Sequence, residues 1–182
     1  METIKIVLFV LGLFFGIETS TVIAEKTIVI VSPKTKTIVI QHENLLAIYP
    51  TEKDSLSIAK EFASIYTKKD SWNTHLDTFT EKYITYNATE KGVLSTKITL
   101  KYTKLEDLKV FAIDTNPEGK FSIINIPQWY IATENGKLNG NYWNFDADKK
   151  FSFSLSPVKN VPETYTIHKT MLHKVWQELT KE

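Results

Sequence analysis

The side chains able to do chemistry in this 182-residue chain are four histidines and 21 carboxylates, with no cysteine, and every one of the 22 strong bases is lysine. Without cysteine there are no disulfides, thiolate metal sites or thiol nucleophiles. Without arginine there is no planar fork to read phosphates or guanine edges bidentately, and a net charge of +1 supplies no steering field. Nucleic acid is therefore not an expected partner. His42-Glu43-Asn44-Leu45-Leu46 begins like the zinc-protease pattern H-E-x-x-H, but a leucine stands where the second ligand is needed. His168 and His173 fall on different sides of a helix and cannot share an ion, so His168, on an apolar stripe, reads as a satisfied core histidine.

No serine stands in a G-x-S-x-G elbow, and Gly92, Gly119, Gly136 and Gly140 form neither a dinucleotide fingerprint nor a phosphate loop. Asp146-Ala147-Asp148 opens with calcium-loop spacing but continues into Lys149-Lys150, which reads as a hairpin turn. No catalytic residue, metal ligand or cofactor is assigned. Carboxylate pairs of the glycosidase kind leave no sequence signature, so a hydrolase whose site forms only in three dimensions stays open. Asn87-Ala88-Thr89 has the form of an N-glycosylation acceptor.

Rings and amides cluster in one region, Trp129-Tyr130 and Glu134 to Phe145. Strand alternation places Trp143 and Phe145 on one face with the core ladder Phe151, Phe153 and Leu155, and Tyr142 and Asn144 on the other. Trp129, Tyr130, Asn139, Tyr142 and Asn144 are the candidate ligand-binding residues, suited to stacking on and hydrogen-bonding a small molecule, a glycan or a protein. The stretch Glu134-Asn135-Gly136-Lys137-Leu138-Asn139-Gly140-Asn141-Tyr142-Trp143 also resembles one unit of the MORN-type hairpin repeat, a resemblance that implies a hairpin.

The elements that must position these residues begin with a repeat. Lys26-Thr27-Ile28-Val29-Ile30 recurs as Lys36-Thr37-Ile38-Val39-Ile40 across Ser32-Pro33-Lys34-Thr35, which predicts a β-hairpin whose second strand runs toward Tyr49. Thr51 and Asp54 open an amphipathic helix carrying Ile58, Phe62 and Ile65 and ending near Lys68. Strands are expected near residues 79–86, 95–102, 109–113, 121–126, 129–132, 141–145 and 151–155, joined by short turns. Asn160 and Glu163 cap a second helix reaching Thr180, with His168, Leu172 and Trp176 on its docked face. The fold class is α+β, a curved antiparallel β-meander of about seven to nine strands with two amphipathic helices packed on it, either open or half closed into a barrel.

Met1 to Ala24 has the three-part build of an export signal: Lys5, the apolar run Ile6 to Ile17, and a polar stretch leading to Val22-Ile23-Ala24. The run is shorter than the roughly 18 residues of a membrane span. Cleavage after Ala24 would leave residues 25–182 as a single exported domain, periplasmic or extracellular, without a stable membrane span. The expected function is a non-enzymatic binding or structural module, with an exported hydrolase or a protein-binding inhibitor as alternatives.

Overall fold

The repeated pentapeptides lie at the centre of the molecule. In the computed structural model, which describes residues 5–49, 55–68, 70–166 and 168–181, β1 (Val22–Ser32) and β2 (Thr37–Ile48) pair antiparallel with Val29 opposite Ile40. β3 (Glu81–Ala88) and β4 (Leu94–Lys101) extend the sheet beyond β2. A smaller sheet is built from β5 (Ile113–Thr115), β6 (Phe121–Ile124), β7 (Lys137–Asn139) and β8 (Tyr142–Phe145), in the order β5-β6-β8-β7. β9 (Phe151–Leu155) returns the chain to the free edge of β1, giving the order β3-β4-β2-β1-β9 in the large sheet. The fold is mixed α+β, and both antiparallel sheets are open.

Helix α1 (Ser55–Thr67) buries Ile58, Phe62 and Ile65, the stripe its spacing implies, and the residues Thr51 and Asp54 that would start it lie outside the described residues. The two sheets share one hydrophobic core. Phe145 of β8 stacks on Phe151 of β9 with ring centroids 4.2 Å apart, and Phe121 of β6 meets the same ring at 5.2 Å. Aromatic contacts of this kind join the small sheet to the large one.

The turn at Asp146 to Lys149 closes no hairpin, because β8 pairs with β6 and β7 while β9 crosses to β1 in the large sheet, and three further elements differ from expectation. Residues 109–113 are mostly a 3₁₀ segment, Leu105–Phe111, because the Asp107 carboxylate takes the backbone N–H groups of Thr103 and Lys104, both at 2.9 Å, and winds the chain into a turn. Residues 129–132 form no strand, and only Ala132 bridges to Ser154. The C-terminal helix is broken into α2 (Glu163–Thr166), β10 (Lys169–Met171) and α3 (His173–Leu179). β4 leaves β2 after His42, so the backbone of residues 46–48 has an open edge, and β10 fills it with Thr170 opposite Ala47. An unpaired buried strand edge costs more than the helical turn given up at Thr170, a β-branched residue with modest helix propensity. Leu172 is still fully buried, but His168 is half-buried and stacks on Tyr49 at 5.7 Å. The core histidine is His42.

The apolar N-terminal run is packed inside the domain. Ile6, Leu8, Leu11, Phe14 and Phe15 belong to the core, with a 3₁₀ segment at Leu11–Phe15 and a bridge from Val10 to Ile23 of β1. The rings of Phe9, Phe14 and Phe15 lie against Trp129, Phe111 and Trp72. Among the described residues no helix is long and apolar enough to cross a membrane.

Candidate functional site

A kink shared by β1 and β2 lines an open cleft. In β1 the core-facing positions are Val22 and Ala24, then Thr27, Val29 and Val31; in β2 they are Ile38, Ile40 and His42, then Leu45 and Ala47. Both strands therefore change parity at the same level, around Glu25-Lys26 and Glu43-Asn44. Asn44 carries this change with a left-handed backbone, φ 58°, which asparagine tolerates better than most residues. The kink turns Glu25, Glu43 and Asn44 toward a cleft of about 760 Å³ that is closed on the far side by Tyr130, Ser154 and Lys159.

The polar groups are partly tied to one another. Asn44 donates its Nδ2–H to Glu25 Oε2, and Lys26 Nζ lies 3.8 Å from Glu43 Oε2. Asn44 Oδ1 is buried and has no hydrogen-bond partner. A buried acceptor left unpaired costs about 1 to 3 kcal/mol. A shallower hollow of about 310 Å³ shares Glu43 and Ser95 with this cleft and runs on over Gln41, Thr85 and Lys97.

Tyr130 reaches the cleft from a clamp. The 3₁₀ segment Pro127–Trp129 ends at Tyr130, whose φ is 47°. Trp129 accepts the Ser156 N–H on its carbonyl at 2.7 Å, and Ala132 and Ser154 exchange backbone hydrogen bonds of 3.0 and 2.8 Å. Glycine is the residue that suits such a left-handed end, and a bulky ring there stores strain of about 1 kcal/mol or more. The ring is 44% exposed.

The five residues singled out in the sequence do not form one site. Tyr130 lines the cleft. Trp129 is half-buried, its ring edge-on to Phe9 at 5.4 Å, and serves the core. Asn139 and Tyr142 pair across β7 and β8 on the small sheet, where Tyr142 is 50% exposed. Asn144 takes the Asn116 amide on its Oδ1 at 3.0 Å and donates to the Tyr142 carbonyl at 3.2 Å, so it ties a turn to β8. The face assignment itself stands: Phe145 is buried, and Trp143 is half-buried with its indole N–H on Asn125 Oδ1 at 3.1 Å. Glu25, Glu43, Asn44 and Ser154 escaped the sequence reading. For Glu43 and Asn44 the one signal is the polar run Gln41-His42-Glu43-Asn44 inside an otherwise apolar strand, and Glu25 and Ser154 carry none.

Among the described residues no three His, Asp or Glu side chains gather as a metal-ligand cluster. His42 is fully buried, donates Nε2–H to the Leu8 carbonyl at 2.7 Å and accepts from the Thr96 hydroxyl on Nδ1 at 2.8 Å. Both ring nitrogens are thereby satisfied. No protein-family model, curated protein or solved structure matches the chain.

Proposed function

We propose that the protein is a non-enzymatic binding module whose ligand seat is the cleft between the β1–β2 kink and Tyr130. The single observation that carries this reading is the meeting of two left-handed, non-glycine residues, Asn44 and Tyr130, across one open cleft, with the Asn44 Oδ1 acceptor buried and unpartnered. A partly exposed ring, an amide, two carboxylates and the Ser154 and Ser156 hydroxyls suit a neutral, hydroxyl-rich ligand such as a short glycan. The mixture of charge signs and the absence of arginine weigh against phosphates. A place in the cell envelope or outside the cell is part of the proposal and rests on the build of Met1 to Ala24 alone.

Calorimetric titration with a panel of mono- and oligosaccharides tests the ligand class. Tyr130→Gly and Asn44→Gly are the matched variants, because glycine keeps the left-handed backbone while removing the side chain. Each should weaken binding at least about tenfold relative to the parent. No heat from any sugar, or equal affinity in both variants, would remove the cleft from consideration.

A further inference from the structure

Three polar side chains that follow residue 24 are committed to partners that precede it. Glu61 on α1 accepts Ser20 Oγ–H at 2.6 Å, Thr21 N–H at 2.9 Å and Thr21 Oγ1–H at 2.7 Å. His42 on β2 donates to the Leu8 carbonyl. Asn73 donates its Nδ2–H to the Leu13 carbonyl at 2.9 Å and its backbone N–H to that of Phe14 at 2.8 Å. Apolar surface accepts any apolar cover, so the burial of Leu11 and Phe14 by itself says little about design. Directional matches from a helix, a strand and a loop to one short segment are specific, because each demands a donor–acceptor distance and angle that an arbitrary apolar cover would not supply.

The candidate cleavage point is itself inside the sheet. Ala24 is fully buried, pairs with Leu45 in the ladder and donates its N–H to the Phe9 carbonyl at 2.9 Å. A cut after it would take Val22, Ile23 and Ala24 out of β1 and five apolar side chains, from Ile6 to Phe15, out of the core. Gly12 fits the same picture, since a Cβ there would fall 2.3 Å from Ser20 Oγ, the atom that bonds Glu61.

We propose that residues 5–21 are a permanent element of the folded protein, and that the segment with the build of an export leader is not removed from it. Delivery out of the cell that spares the segment is compatible with this; delivery that trims it at Ala24 is not. The segment adjoins the cleft at two points, Glu25, which follows the candidate cut, and Trp129, whose ring packs on Phe9, but the test below reads mass and melting and needs no ligand.

The test uses the full chain made with its own N-terminus. The intact mass of the purified, folded protein is measured, and Ser20→Ala, Glu61→Gln and the double variant are melted beside the parent. The expected mass includes everything from Lys5 onward. Ser20→Ala should lower the melting temperature by roughly 2 to 4 °C, and the double variant by less than the sum of the singles. A leader lost at Ala24 would make the Ser20→Ala product identical to the parent in mass and melting, and would overturn the proposal. A retained segment with no melting effect of Ser20→Ala would overturn it equally. If Glu61→Gln does not fold, Ser20→Ala and the mass decide alone.

Discussion

At the scale of single residues, His42 shows what burial does to an ionisable group. Desolvation lowers its pKa from the ordinary 6.5 to about 4, against the opposing pull of the Leu8 carbonyl. The unfolded chain therefore takes up a proton near 6.5, while the folded chain resists until about 4. The His42 contribution is present in full above about pH 6.5, falls as pH drops through this window, and is lost below about 4. The gap is worth about 3 kcal/mol. Urea titrations of the parent and of His42→Gln at about pH 7 and pH 5 should show a markedly smaller loss in the variant, even though it starts less stable. Equal losses would mean that the ring stays reachable by protons in the folded state.

At the scale of elements, the β8 strand separates binding from packing. Period-two alternation puts Phe145 against Phe151 and leaves Tyr142 half exposed. Phe145→Ala should cost about 3 to 5 kcal/mol through loss of a packed ring. Tyr142→Ala should change stability by no more than about 0.5 kcal/mol. Equilibrium unfolding of the two variants measures this difference directly, and similar midpoints would contradict the face assignment. Trp143 lies between the extremes because it shares the core face but sits half-buried, one residue from the turn. Element boundaries were legible wherever a strand had a turn signal at its end, as at Asn116 to Gly119 and Asp146 to Lys149. The break in the C-terminal helix was not, because its cause is an open edge on β2, more than a hundred residues away in the chain.

At the scale of the whole molecule, the two sheets and the N-terminal segment share one core, with Phe151 and Phe153 facing Phe145 and Leu172 buried from the far terminus. One cooperative unfolding transition is expected, the same by circular dichroism and by tryptophan fluorescence. Chain composition adds that reductant should not move it, since there is no cysteine to reduce. Two separated transitions in calorimetry would show that the small sheet unfolds alone.

What the sequence by itself determined is what nearest neighbours along the chain decide. The hairpin of KTIVI repeats, the stripe of α1, the turns, the α+β class and the outward face of Tyr142 all follow from period and turn chemistry acting over a few residues. The tertiary structure alone shows the apolar run packed against β1 and bonded by His42 and Asn73, contacts between segments far apart in the chain. It also decided the cleft. Ile28 to Val31 are all apolar, so the parity change at Glu25 and Asn44 leaves no alternation to read in β1, and Tyr130 meets Asn44 only because the chain from β6 to β9 returns to the free edge of β1. Such sites depend on distances between segments far apart in the chain, and hydrophobic period carries no information about those distances.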